Sequence, residues 1–216
     1  MTAPLAALHS PGFADVDSPP AVALLLHGYG SNERDLTGLA GAMGLALPWA
    51  SLRAPIELGN GGAAWFPVVT PGDPDPDPLA FATDAVWAWI DDNLDPAGRV
   101  VPIGFSQGGL MASQLLRTRP ERVLAPVILG GFVQRTPQPG DAALASDRPP
   151  VFWGRGSEDR VITSAAVART AEFLAAHSTL DGHVYPGLAH GISVDELADV
   201  AHFLVVNAGA DSIITD

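Results

Sequence analysis

Ser106, Asp159 and His190 stand in three glycine-flanked stretches, and together they are the residues of this sequence that could turn a hydroxyl into a nucleophile. A serine hydroxyl attacks poorly alone; an imidazole must take its proton, and a carboxylate must fix the imidazole tautomer and stabilise its cation. Ser106 is the centre of Gly104-Phe105-Ser106-Gln107-Gly108, a G-x-S-x-G pattern that follows an apolar run and precedes a helical one. In a strand-turn-helix setting this makes a sharp elbow that lifts the serine clear of the sheet, with glycines where Cβ atoms would collide. The helix after it aims free N–H groups at the space above Ser106, which suits a developing oxyanion.

The strands and helices that must position these groups follow from periodicity. Ala21–Leu26, AVALLL, is a continuous apolar run of the kind buried on both faces of a parallel sheet, and it ends in His27-Gly28-Tyr29-Gly30. A backbone N–H there can supply one half of an oxyanion hole, the residue after the nucleophile supplying the other. Leu36, Leu39, Ala40 and Met43 then recur at helical spacing, and residues 48–54 read as a short strand. The Pro/Gly-rich stretch 54–78 is too long for an idle connection and is expected to wall the site; its adjacent aromatics Trp65 and Phe66 need an apolar partner, either the core or an acyl pocket, and the pocket is the expectation. Asp77-Pro78 has the form of a helix start for residues 82–94, which lead to the elbow strand. Pro102, inside that strand, is taken as an irregularity at its end.

After the elbow a helix runs to about Pro120, and Val123–Gly131 is the next strand. Residues 133–150 show no sustained helical pattern, so no long helical lid is expected. Val151–Gly154 is a strand that ends before Asp159; Thr163 caps a helix; Asp181–Tyr185 is a strand that ends before His190. Ser193 and Glu196 have capping-box spacing at the start of the last helix. Strand and helix alternate throughout, which predicts an α/β fold: a mostly parallel central sheet with helices on both faces and the functional loops at the C-terminal strand ends. Ser106, Asp159 and His190 each lie just past such an end. Residues 1–20 are expected to be a peripheral lead-in with an edge strand or hairpin, and 208–216 a frayed tail, of one domain spanning 1–216.

Other chemistries fit less well. His27 reads as a brace for its turn, His9 falls in the lead-in, His177 ends a helix, His183 lies in a strand and His202 in the last helix. The sequence contains neither H-E-x-x-H nor a G-x-x-x-x-G-K-[ST] phosphate loop. Asp73, Asp75 and Asp77 have the alternate spacing of a calcium loop, but Pro78 stands where its glycine is needed and Asp84 where its glutamate is needed. Metal and other cofactors are therefore expected to be none. Zero Cys excludes disulfides, thiolate zinc sites and a thiol nucleophile. A formal charge of −13 argues against nucleic acid as a partner, and no apolar run approaches the ~18 residues of a membrane span, so no stable membrane insertion is expected. The start of the chain lacks a signal-peptide pattern, which with the absence of Cys fits a cytoplasmic protein.

The motifs LLLHGYGSN, RAPIELGNGGAAWFP, GFSQGG, GSEDRVI and PGLAHGIS, in this order over residues 24–193, resemble those of the phospholipase/carboxylesterase family of α/β-hydrolases, which also contains acyl-protein thioesterases. GFSQGG is the most specific. The resemblance implies an α/β-hydrolase fold without a large lid domain and a cofactor-free serine esterase, with nucleophile Ser106, acid Asp159, base His190, oxyanion amides from Tyr29 and Gln107, and Trp65 and Phe66 near the acyl group. It places the acid at Asp159 rather than at its neighbour Glu158. The implied substrate is a small-molecule ester of small to medium acyl length, and the implied state a monomer or homodimer. A thioesterase, lysophospholipase or acyltransferase on the same residues, or a catalytically silent binding domain on this fold, are the alternatives.

Overall fold

The computed structural model describes residues 4–13 and 21–209, so the lead-in residues 1–3 and 14–20 and most of the expected frayed tail, 210–216, lie outside the described residues. In chain order the elements are β1 (Ala7–His9), β2 (Ala21–Leu26), α1 (Thr37–Ala42), β3 (Trp49–Leu52), β4 (Ile56–Gly59), β5 (Gly62–Ala64), α2 (Pro76–Asn93) and β6 (Arg99–Phe105). They continue as α3 (Gln107–Thr118), β7 (Val127–Leu129), α4 (Asp141–Asp147), β8 (Pro150–Gly156), α5 (Ser164–His177), β9 (Thr179–Tyr185) and α6 (Val194–Ala208). Seven strands form one sheet in the order β1-β3-β2-β6-β7-β8-β9, parallel except for β1, which pairs antiparallel with β3 as an edge strand of the lead-in. The β4-β5 hairpin stands apart.

The apolar runs are continuous because both faces of the sheet are covered. In β2, Val22, Leu24 and Leu26 pack into the core shared with α2, α3 and α5, whereas Ala21, Ala23 and Leu25 pack into the core shared with α1 and α6. That alternation is the two-residue period of a strand, and fully burying a leucine is worth about 1.5–3 kcal/mol. Val127 and Leu129 of β7 and Phe152 of β8 extend the second core; Ile128, Val151 and Trp153 extend the first.

Pro102 is not at a strand end but in the middle of β6, opposite Leu24. Successive residues of a strand direct their backbone groups to opposite sides, so Pro102 faces the same side as Val100, whose carbonyl accepts from the Leu124 N–H. On that side pairing is interrupted between Val100↔Val123 and Ile103↔Val127, where Ala125 takes a positive φ of 46°. The missing proline N–H falls in that gap.

Two other expectations shift. The α2 start is two residues earlier than Asp77-Pro78: Asp75 is the cap, its carboxylate accepting from the Asp77 N–H, and Pro76 is the first helical residue. Residues 133–150 do contain a short helix, α4. Its support is the Arg117 guanidinium, 2% exposed, which bonds both carboxylate oxygens of Asp141 at 2.8 Å and the carbonyls of Gln134 and Thr136. Arg117 lies at the far end of α3 from Ser106, so α4 is held at the opposite end of α3 and forms no lid.

Candidate active site

The elbow is built by close backbone approach. A Cβ on Gly104 would collide with the Gly108 carbonyl, and one on Gly108 with the Leu26 carbonyl, so β6, α3 and β2 can meet only with glycine at both positions. Ser106 takes φ 56° and ψ −114°, a strained setting for a residue with a side chain. Its N–H donates to Leu129 O at 2.8 Å at the end of β7, which fixes the strained turn to the sheet.

The loops after β8 and β9 are laced together. Ser157 N–H donates to Tyr185 O, Ser157 Oγ accepts from Gly187 N–H, and Glu158 N–H donates to Leu188 O. This lacing brings Asp159 and His190 side by side: Nδ1 of His190 lies 2.7 Å from Oδ2 of Asp159, and Nε2 of His190 lies 2.9 Å from Oγ of Ser106. The second Asp159 oxygen, Oδ1, accepts from the N–H groups of Val161 and Ile162 at 2.8 and 3.2 Å. Burial opposes ionisation of Asp159, but the His190 hydrogen bond and these two N–H groups outweigh it, and its carboxyl titrates below the ordinary carboxylate range. Ionised, Asp159 only accepts, so Nδ1 carries the proton and Nε2 is left to accept from the Ser106 hydroxyl. The Phe105 ring packs against the imidazole, 4.9 Å between centroids. Glu158 is exposed.

The backbone N–H groups of Tyr29 and Gln107, at the ends of β2 and the start of α3, find no acceptor among the described residues. Beside Ser106 opens a cavity of about 340 Å³ whose lining includes Tyr29, Gln107, Phe66, Phe132 and Ile162. That size and its apolar lining suit a small organic group.

The Trp65-Phe66 pair divides. Phe66 lines the cavity, but Trp65, expected beside it, does not: its ring is fully buried in the core, and its Nε1–H donates to His27 O at 2.8 Å. The chain bends at Trp65 and Phe66 after β5, and the Gln107 amide holds this bend by the Trp65 N–H and the Phe66 carbonyl. Phe132, Val161 and Ile162 line it without having been singled out from the sequence. Their signal was position alone: Phe132 follows the β7 end, and Val161 and Ile162 share the acid's loop.

Of the remaining histidines, His9 packs against Phe13 and Trp89, and His202 is exposed on α6. His27 is buried, its Nε2 accepting from the Ala54 N–H at 3.1 Å and its Nδ1 lying 2.8 Å from Gly28 O, and burial lowers its pKa, so the neutral ring braces its turn. His183 lies in β9 against Asp181 and Asp199, and His177 at the end of α5 bonds Phe173 O. Asp75 is the α2 cap and Asp73 faces Arg135 at 3.3 Å; among the described residues no cluster of His, Asp or Glu is placed to hold a metal. No helix of the described residues is long and apolar enough to cross a membrane.

A phospholipase/carboxylesterase family model matches residues 14–208. The chain belongs to that family. Among relatives in it, acyl-protein thioesterase 1 of Debaryomyces hansenii is 28% identical over 67% of this chain and 68% of its own. Carboxylesterase SOBER1 of Arabidopsis thaliana is 29% identical over 66% of this chain and 68% of its own. The crystal structure of the Bacillus cereus carboxylesterase superposes with a TM-score of 0.78 at 25% identity, covering 94% of each chain. Family membership makes the chain a serine hydrolase of the α/β-hydrolase class, with esterase or thioesterase activity.

Proposed function

We propose that the protein is a carboxylesterase of small to medium acyl esters that works through an acyl-enzyme on Ser106. The observation that carries this is the unbroken line Asp159–His190–Ser106 at 2.7 and 2.9 Å, with an apolar cavity beside the hydroxyl. Ser106 Oγ bonds to the ester carbonyl carbon while its proton passes to His190 Nε2 and the carbonyl π pair moves onto oxygen. The oxyanion is held by the Gln107 and Tyr29 N–H groups. Collapse breaks the bond to the alcohol oxygen, which takes the proton from His190. Water, deprotonated by the same nitrogen, then attacks the acyl carbon and releases the acid and free Ser106. Asp159 stays ionised throughout, holding the imidazole and stabilising its cation. Nothing in this sequence of steps requires a metal or cofactor, and the enzyme is read as cytoplasmic.

A thioesterase reading uses the same residues and is favoured by the name of the Debaryomyces hansenii relative. Turnover of matched oxygen esters and thioesters, across acyl lengths from acetyl upward, tests the proposal. Oxygen esters of short and medium chains should be cleaved best; preference for thioesters at every length would select the second reading, and no cleavage of either would remove both.

A further inference from the structure

The two oxyanion N–H groups come from segments almost 80 residues apart, yet both must sit within a few tenths of an ångström of one oxygen to stabilise it. The segment that spans the distance between them is 62–66. At one end it is joined to the turn after β2: Gly30 N–H donates to Ala63 O, Ala63 N–H donates to Ser31 O, and a Cβ on Gly62 would meet the Gly30 carbonyl at 2.5 Å. At the other end it is held by the side chain of Gln107. The Gln107 amide is 5% exposed; its Oε1 accepts from the Trp65 N–H at 3.0 Å and its Nε2 donates to Phe66 O at 2.8 Å. Trp65 then closes the path, its indole N–H donating to the carbonyl of His27, two residues before Tyr29. The His27 ring lies against the indole, 5.5 Å between centroids, and is itself fixed by the Ala54 N–H.

We propose that the Gln107 carboxamide and the Trp65 indole are positioning residues that set the distance between the two halves of the oxyanion hole. This rests on the esterase reading above. Gln107 contributes its backbone N–H to the hole and, through its side chain, the clamp that orients that N–H against the Tyr29 N–H. The amide is suited to the task by its two ends: one must accept from an N–H and the other must donate to a carbonyl, 42 and 41 residues away in sequence, and an amide of that length does both at every pH without carrying charge. Trp65 is required for its N–H as well as its bulk, since a buried carbonyl left without a donor is free to turn.

The test compares wild type with Gln107→Met, Trp65→Phe and the double variant, each checked for folding by circular dichroism and thermal unfolding. Trp65→Phe keeps an aromatic ring in the core, and should Gln107→Met fail to fold it carries the test alone. On p-nitrophenyl acetate each single variant should lose about 10- to 100-fold in kcat with KM changed less than about threefold. The affinity of a trifluoromethyl ketone, whose hemiketal oxygen occupies the oxyanion position, should fall by a similar factor. Because both side chains act through one path, the double variant should be no worse than about threefold below the poorer single variant. Unchanged kcat in a folded variant, a rise in KM with kcat kept, or multiplicative losses in the double variant would overturn the proposal. An inactive wild type would instead remove the esterase reading beneath it.

Discussion

His190 Nδ1 and Asp159 Oδ2 are 2.7 Å apart, although 31 residues separate them in the chain, and Glu158, the carboxylate next to Asp159, is exposed. Asp159→Asn replaces an obligate acceptor with a group that can present N–H to Nδ1, which favours the wrong tautomer, so kcat should fall about 10³- to 10⁴-fold at neutral pH. Glu158→Gln should change kcat less than about threefold, as for a solvated charge outside the reaction path. Turnover of one activated ester by both folded variants decides; a crippled Glu158→Gln beside a healthy Asp159→Asn would reverse the assignment.

Phe66 lines the cavity and Trp65 does not, so of the expected pair only Phe66 is placed to sense acyl length. Phe66→Ala should shift the ratio of hexanoate to acetate turnover by roughly 10-fold, in either direction, because even one methylene gained or lost in an apolar pocket is worth about 1–3 kcal/mol. Trp65→Ala should instead destabilise the fold by about 3–5 kcal/mol, as for other buried aromatics. Equal loss at every chain length in a stable Phe66→Ala variant would make Phe66 a packing residue.

What was legible in the sequence and what was not has a physical boundary in these same residues. The elbow at Ser106 and the loops of Asp159 and His190 could be read because they depend on local requirements: glycines at close approaches, apolar runs that end, and turn residues after them. The phase of Trp65-Phe66 could not, since it is set by hydrogen bonds to Gln107 and His27 across 38 to 42 residues. Asp73, Asp75 and Asp77 are each followed by proline, so the local pattern alone does not single out Asp75, the cap that α2 uses. The α4 helix is too short for periodicity to reveal and depends on Arg117 for its anchor.

Glu196 gives a prediction about stability. At the first turn of α6 its N–H donates to Ser193 Oγ, as the capping spacing suggested, but its carboxyl is turned into the interior against Gly154, fully buried, with no well-formed hydrogen bond to either oxygen. Burial raises its pKa from 4.5 to about 7, against the opposing pull of the Ser193 N–H and His183. A carboxyl with a raised folded pKa holds a proton that the unfolded chain has lost, so stability is fully present below about pH 4.5 and declines as pH rises toward about 7. Glu196→Gln, uncharged at every pH, should therefore melt higher than wild type at pH 8 and close to it at pH 4.5. A melting difference independent of pH would show that Glu196 is already ionised at no cost.

The most direct measurement is the kcat of Ser106→Ala on p-nitrophenyl acetate beside that of wild type, with circular dichroism spectra of both. Removing the hydroxyl leaves the oxyanion N–H groups and the cavity in place but no atom to form the acyl-enzyme. The expected result is a loss of roughly 10⁴-fold or more in a variant folded like wild type. Turnover within about threefold of wild type in the folded variant would contradict Ser106 as the nucleophile.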